Sequence, residues 1–202
     1  MTIRVMLADD QAMVRGALAA LLDLEHDIDV VGQAESGPAA VRLVDELEPD
    51  VVLMDVEMPG GDGIEATRTI RDRHPDVHVL VVTTFGRPGY LRRAMQAGAS
   101  GFVVKDTPAQ ALADAVRRAH AGLRVVDADL AADSLAVGDS PLTPRETQVL
   151  QAAATGATVA QMAHTLFLSE GTVRNHLSAA IGKTSARNRA DAVRVAQANG
   201  WL

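Results

Sequence analysis

The chain has 202 residues, of which 48% are hydrophobic and 22% are charged, and it contains no cysteine. This length allows two domains, and the composition is that of a globular protein rather than a disordered one. The lack of cysteine excludes disulfides, a thiol nucleophile and a cysteine zinc site. The N-terminal apolar run is too short for a signal peptide and no stretch has the length of a membrane span, so we expect a cytoplasmic protein that does not use a membrane.

The charge is distributed unevenly along the chain. The net charge is −7, but residues 1–122 carry 12 Lys and Arg against 19 Asp and Glu, whereas residues 142–202 carry 6 against 3. An acidic first part joined to a basic last part suggests two functions, although the basic surplus by itself is small support for DNA binding. We predict a first domain over 1–122, a linker over 123–141 and a second domain over 142–202.

The first 122 residues alternate between apolar runs of strand length and segments with apolar residues at helical spacing. Strands are predicted at 3–8, 29–34, 51–54, 78–82 and 101–104, and helices at 11–23, 37–46, 63–72, 90–97 and 108–121. The runs are apolar throughout rather than alternating, which is typical of sheets with helices on both faces. We therefore predict an α/β domain with a five-stranded, doubly wound parallel sheet.

From Thr143 onwards the pattern is entirely helical. Thr143-Pro144-Arg145-Glu146 is a capping box with proline at the first helical position, and Gly156 ends the helix that it begins. Further helices are predicted at 158–166, 170–183 and 189–199, with Ser169 as the N-cap of the helix at 170–183. Two short helices joined by a three-residue turn indicate a helix-turn-helix, so we predict a small all-α second domain.

The predicted strands end in polar residues that suit phosphoryl transfer. Asp9 and Asp10 follow the first strand, and the third, fourth and fifth strands end at Asp55, Thr83 and Lys105. Because the carboxyl ends of parallel strands lie at one edge of a sheet, we expect these side chains to meet there.

Each of these residue types has a use in such a site. Carboxylate oxygens are the ligands that Mg²⁺ prefers, and Asp55, which we expect to be open to solvent, can attack phosphorus to form an aspartyl phosphate. Lys105 and the metal would neutralise charge on the transferred oxygens, and the Thr83 hydroxyl would donate to one of them. Any one of these residues alone is more often a helix cap, a turn residue or a surface lysine, so the prediction depends on their coincidence at four strand ends.

The first domain resembles the receiver domains of two-component response regulators over the whole of residues 1–122. The resemblance is carried by Asp9-Asp10, by residues 53–60, by Thr83-Thr84-Phe85 and by residues 101–106. It implies a flavodoxin-like fold, Asp55 as the phosphoacceptor, and Thr83 and Lys105 as phosphoryl contacts. It implies Mg²⁺ as the cofactor, held by Asp9, Asp10, Asp55 and the backbone carbonyl of Glu57. It also implies an aromatic switch at Phe102, which lacks the hydroxyl of the tyrosine often found there.

The predicted helix at 170–183 has an apolar side and a polar side. Val173, Leu177, Ala180, Ile181 and Thr184 share the first side, and Gly171, Arg174, Asn175, Ser178 and Gly182 share the second. On the polar side, Arg174 suits guanine and Asn175 suits adenine in the major groove. Phosphate contacts are predicted for the flanking residues Ser169, Thr172, His176 and Lys183. The alternative is a solvated face of an ordinary helical bundle, but the tight turn before the helix favours DNA binding.

The second domain resembles the LuxR-type helix-turn-helix in residues 142–146, 168–177 and 188–193. Together the two domains resemble the NarL/FixJ family of response regulators, and residues 55–60 and 83–90 of the receiver resemble its DesR-like subgroup. This implies a sensor histidine kinase as partner, binding to double-stranded promoter DNA, and a homodimer on phosphorylation with contacts near residues 190–198. Lys183-Thr184-Ser185-Ala186 departs from the usual Lys-Leu-Gly-Val, and Gly182 lies inside a helix, which costs roughly 1 kcal/mol against alanine. We therefore expect a second domain of modest stability.

Two other interpretations stay open at this point. One is a Mg²⁺-dependent phosphatase with an aspartyl nucleophile, in which Glu57 has the spacing of the acid/base. The other is a DNA-binding regulator that works without phosphorylation and uses its receiver only to dimerise. The full set of acidic, threonine and lysine residues argues against the second interpretation. The resemblance, which gives only the backbone of Glu57 to the metal, argues against the first, so we expect a phosphorylated regulator that is not an enzyme.

Overall fold

The computed structural model describes residues 2–58, 62–84, 88–127, 130–132 and 140–202. The chain divides into two compact units, the first formed by Met1–Gly86 with Leu91–Ala132 and the second by Arg87–Tyr90 with Asp133–Leu202. Among the described residues, no helix is both long and apolar enough to span a bilayer. The domain limits at 122 and 142 stay predictions.

The first unit contains a parallel sheet with the strand order β2-β1-β3-β4-β5-β6. The strands are β1 Ile3–Ala8, β2 Ile28–Ala34, β3 Val51–Asp55, β4 His78–Thr83, β5 Gly101–Val104 and β6 Val125–Val126. The helices that alternate with them along the chain are α1 Ala12–Leu22, α2 Gly37–Leu47, α3 Gly63–Arg73, α4 Pro88–Gln96 and α5 Ala109–His120, and residues 88–90 of α4 are assigned to the second unit. Residues of α1 and α5 pack on one face of the sheet, and residues of α2 and α3 pack on the other. The doubly wound α/β architecture is therefore confirmed.

The predicted number of strands is wrong by one, because Val125–Val126 forms a sixth strand in a segment that was assigned to the linker. Val125 pairs with Gly101, and its N–H donates to the carbonyl of Ser100 at 3.1 Å. Gly101 permits this close approach, since a Cβ there would lie 2.4 Å from the carbonyl oxygen of Val125. A strand of two residues is too short to show a periodicity, so the sequence pattern does not reveal it.

The second unit is built from α6 Pro144–Ala154, α7 Val159–Leu166, α8 Glu170–Lys183 and α9 Arg189–Ala198. The predicted capping box of Thr143 and Glu146 is present, and Ser169 caps α8 by accepting the N–H of Thr172 at 3.1 Å. A second capping box, which is not among the predicted features, joins Thr158 and Gln161 at the start of α7. The four helices enclose a core of their own. The prediction of a small all-α unit with a helix-turn-helix is thus confirmed.

Candidate phosphoacceptor site and DNA-binding helix

Three aspartates lie together at the carboxyl ends of β1 and β3. One carboxylate oxygen from each of Asp9, Asp10 and Asp55 lies within 4.8 Å of the others. The strands β1 and β3 are parallel neighbours, so the residue that follows β1 meets the residue that ends β3. Asp9 and Asp55 are buried, whereas Asp10 is exposed and forms the solvent side of the cluster.

Lys105, directly after β5, reaches into this cluster. Its Nζ lies 2.7 Å from Oδ2 of Asp9 and 2.9 Å from Oδ2 of Asp55. Burial lowers the pKa of Lys105, but the hydrogen bonds and charges of the two aspartates outweigh it and raise the pKa above the ordinary lysine value. The ammonium therefore stays charged and offsets the negative charge of the cluster.

Asp55 is less accessible to solvent than its position at a strand end predicts. Its relative exposure is 4%; Oδ1 accepts the N–H of Val56 at 2.8 Å, and Oδ2 accepts the ammonium of Lys105. Burial raises the pKa of Asp55 and the charge of Asp9 adds to this, while Lys105 and the Val56 N–H oppose it. The expectation of a carboxylate open to solvent is wrong for this structure, because both of its oxygens are already engaged.

The other predicted receiver residues lie in or shortly after strands of the same sheet. Thr83 is the last residue of β4, between β3 and β5, and is buried at 2% exposure. Phe102 in β5 is buried at 1% exposure, and Glu57 is exposed. Pro59, Gly60 and Phe85 of the motifs lie outside the described residues. The roles of Thr83, Phe102 and Glu57 stay predictions.

Sequence reasoning missed Arg15, which lies on α1 beside this cluster. Its guanidinium donates to the backbone carbonyl of Asp9, and the N–H of Gln11 donates to Oδ1 of Asp9 at 2.9 Å. Together with Lys105 these contacts hold the backbone and both carboxylate oxygens of Asp9. The only signal in the sequence is a cation less than two helical turns after the aspartate pair, which is too common to be informative.

The helix α8 has the two faces that its sequence predicts. Val173, Leu177, Ala180 and Thr184 are buried, and Ile181 is half-buried against the same core. The polar side is exposed at Gly171, Arg174, Asn175, Ser178 and Gly182. The buried Thr184 hydroxyl donates to the carbonyl of Ala180 at 2.8 Å, so its burial leaves no unsatisfied donor. The departure from the family sequence at this position is therefore accommodated inside the core.

Four of the predicted DNA contacts have partners within the chain. Arg174 forms an exposed ion pair with Glu170 at 2.6 Å, which contributes little stability and can be exchanged for another anion. Lys183 lies 2.8 Å from the buried carboxylate of Glu146, so it has a structural partner that the sequence did not reveal. Ser169 and Thr172 are paired through their hydroxyls at 2.8 Å, and His176 is half-buried. Their contacts with DNA stay predictions.

Comparison with known proteins agrees with both halves of this description. Residues 5–117 match the family "Response regulator receiver domain", and residues 140–196 match "Bacterial regulatory proteins, luxR family". The chain is 42% identical over 200 residues to the uncharacterized transcriptional regulatory protein YvfU of Bacillus subtilis (strain 168). This match covers 99% of this chain and 100% of YvfU. It is 40% identical to the transcriptional regulatory protein DesR of the same organism, with 99% of each chain covered.

A solved structure of a DNA-bound protein also resembles this chain over nearly its whole length. RcsB from Salmonella enterica serovar Typhimurium, bound to promoter rprA in the presence of the phosphomimetic BeF3-, has a TM-score of 0.68 and 25% sequence identity, and the match covers 96% of this chain and 98% of RcsB. The two family matches and the near full-length relatives show that the chain belongs to the NarL/FixJ family of response regulators, transcription regulators that join a receiver domain to a LuxR-type DNA-binding domain.

Proposed function

We propose that phosphorylation of Asp55 by a sensor histidine kinase controls the binding of this regulator to promoter DNA. The observation that carries the proposal is the position of Lys105, whose ammonium lies between the carboxylates of Asp9 and Asp55 at the strand ends. A lysine in this place is bound to Asp55 before phosphorylation and has a phosphoryl oxygen to bind afterwards. Attachment of a phosphoryl group at Asp55 therefore has to rearrange this contact.

The residues present fit a Mg²⁺ ion. Three carboxylates offer oxygens within 4.8 Å of one another, and hard oxygen ligands that leave room for water are what Mg²⁺ requires. The exposed side at Asp10 gives access to such waters. Asp9, Asp10, Asp55 and the backbone carbonyl of Glu57 would hold the ion, which would supply positive charge to the oxygens of the transferred group.

The reaction at Asp55 requires its oxygens to be freed. When Lys105 releases Oδ2, Asp55 can attack the phosphorus of a phosphohistidine; the new O–P bond forms as the P–N bond breaks, and the electron pair of that bond returns to the imidazole nitrogen. Lys105 then binds a phosphoryl oxygen, and the Thr83 hydroxyl donates to another. This displacement is the local charge change that would bias the face around Phe102 towards an active state.

In the proposed active state the protein forms a homodimer, and its two α8 helices contact two half-sites in the major groove. Arg174 and Asn175 would contact base edges, with Ser178 beside them. Ser169, Thr172, His176 and Lys183 would contact phosphates. We also propose that the protein is cytoplasmic, because the DNA that it would bind is there.

The test is labelling of the full chain with acetyl phosphate and Mg²⁺, measured by intact-protein mass spectrometry. The wild type and the control Asp29→Asn, which changes an exposed carboxylate in β2, should each gain one phosphoryl group. Asp55→Asn should gain none, and labelling of that variant would refute the assignment. Repeated turnover of a phosphoester by the wild type would instead favour the phosphatase.

The link to DNA needs a second measurement. Fluorescence anisotropy with a duplex selected from a random pool by the full chain should show tighter binding after labelling. Equal affinity of labelled and unlabelled protein would favour a regulator that works without phosphorylation.

A further inference from the structure

Phe167 is the most exposed large hydrophobic side chain in the part of the chain that the structure describes. It is 94% exposed and lies in the turn between α7 and α8. The core of the second unit includes Leu166 and Leu168 on either side of it, but not Phe167. A ring that is this exposed buries almost no apolar area, so it contributes little to the stability of this unit.

The backbone of Phe167 is also unfavourable for its side chain. Its φ of 54° and ψ of 47° are left-handed, and it forms the C-cap of α7. Glycine or asparagine normally occupies such a cap, because a bulky side chain is strained there. Phe167 thus combines hydrophobic exposure with backbone strain, and such residues concentrate where function requires them.

The place of Phe167 in the motif indicates the function. It precedes by two residues Ser169, the N-cap of α8. A Cβ added at Gly171 would have the Ser169 Oγ, at 3.7 Å, as its one near neighbour, so the described residues leave the first turn of α8 open. A recognition helix enters the major groove with its N-terminal residues, which brings the preceding turn against the wall of the groove.

The surroundings of Phe167 favour DNA over a protein partner. The exposed residues on either side of it are polar or charged, namely His164, Thr165, Ser169 and Glu170. A protein interface needs an extended apolar centre, which a single ring among polar side chains does not provide. DNA, by contrast, offers small apolar groups, the deoxyribose and the thymine methyl, that a single phenylalanine can contact.

We propose that Phe167 is a DNA contact, its ring packing against apolar groups of the DNA beside the groove that α8 enters. This inference rests on the proposed DNA-binding function of α8. The contact adds apolar area to a predicted interface that otherwise consists of polar side chains.

The experiment compares Phe167→Asn and Phe167→Tyr with the wild-type full chain on a duplex selected from a random pool. Asparagine suits the left-handed cap, so Phe167→Asn should raise the midpoint of thermal unfolding while it weakens DNA binding about tenfold. Phe167→Tyr keeps the ring and should bind like the wild type. Leu24→Asn removes another exposed apolar side chain, 80% exposed, and serves as the control that leaves DNA affinity unchanged.

Replacing thymine by uracil in the duplex identifies the group that is contacted. If the wild type binds the uracil duplex more weakly than the thymine duplex and Phe167→Asn does not, the ring contacts a thymine methyl. If the wild type binds both duplexes equally well while Phe167→Asn binds each more weakly, the ring contacts the deoxyribose. Unchanged affinity of Phe167→Asn, together with its higher unfolding midpoint, would overturn the proposal. The proposal would also be overturned if Phe167→Asn changed the association of the dimer and left the DNA affinity of the dimer unchanged, since the ring would then contact protein. A wild type that binds no duplex in the pool would instead refute the proposed function itself.

Discussion

Glu146, in the first turn of α6, accepts a hydrogen bond from Lys183, the last residue of α8, at 2.8 Å. The same oxygen, Oε2, accepts the backbone N–H of Thr143 at 2.7 Å. Through these two hydrogen bonds a carboxylate that is only 5% exposed joins the beginning of α6 to the end of α8, the helix proposed to bind DNA.

Replacing Lys183 by methionine should lower the free energy of unfolding of the second unit by about 1 kcal/mol, since it leaves a nearly buried carboxylate without its cation. The single tryptophan, Trp201, reports this transition by fluorescence in a urea titration of the full chain. Arg145→Met removes a charge from an exposed position and is the control. Equal midpoints for the two variants would show that the ion pair has no stabilising effect.

The same pair makes the second unit sensitive to acid. Burial tends to raise the pKa of Glu146, but Lys183 and the N–H of Thr143 hold it below the ordinary glutamate value of 4.5. A carboxylate with a lowered pKa in the folded state stabilises the protein above its unfolded pKa, and this contribution disappears as the pH falls through the folded pKa. Urea midpoints followed by Trp201 should therefore drop below pH 4.5. Glu146→Gln should drop less steeply, and identical slopes would contradict the assignment.

Gly182→Ala should stabilise the second unit by about 1 kcal/mol, the difference in helix propensity. Gly182 lies in α8, and a Cβ there would meet no atom within 4 Å. Gly16→Ala in α1 has the same open surroundings and should stabilise the first unit to a similar extent. Thermal unfolding of both variants measures the gain. A loss of stability in Gly182→Ala would mean that the helix is distorted at this position.

Gly63→Ala should destabilise the first unit. A Cβ on Gly63 would lie 1.8 Å from the carbonyl oxygen of Asp55, so the start of α3 and the end of β3 would have to move apart. We expect a loss of roughly 2 kcal/mol in unfolding free energy, as for other overpacked sites, and slower labelling by acetyl phosphate. Gly16→Ala is the matched control for both readouts. Normal labelling of Gly63→Ala would show that Asp55 tolerates the shift.

The sequence predicts the strands and helices of this protein well because each has a clear periodicity or cap. The periodicity predicts five of the strands, and the cap residues predict the capping box at Thr143 and the N-cap at Ser169. The pairing of Lys183 with Glu146 could not be predicted, because it depends on how α6 and α8 cross in space. The burial of Asp55 was mispredicted for a related reason: a residue pattern places carboxylates at an edge but does not show that Lys105 engages them.

Arg174→Ala should weaken binding to the selected duplex tenfold to a hundredfold, the range for a lost base contact, and weaken binding to random DNA much less. Its exposed ion pair with Glu170 is worth little, so the unfolding midpoint should not change. Arg145→Ala, an exposed arginine on α6, is the control. Equal losses on both DNAs would assign Arg174 to a phosphate contact.

The strand β6 determines where the chain can be truncated to give a stable receiver fragment. A truncation after residue 122 would remove Val125 from the core and expose the β5 edge at Gly101 and Phe102. Unpaired edges of this kind recruit strands from other chains, so such a fragment would aggregate. A receiver fragment that continues to residue 127 keeps this edge paired and is the one to use when the kinase reaction is studied apart from DNA.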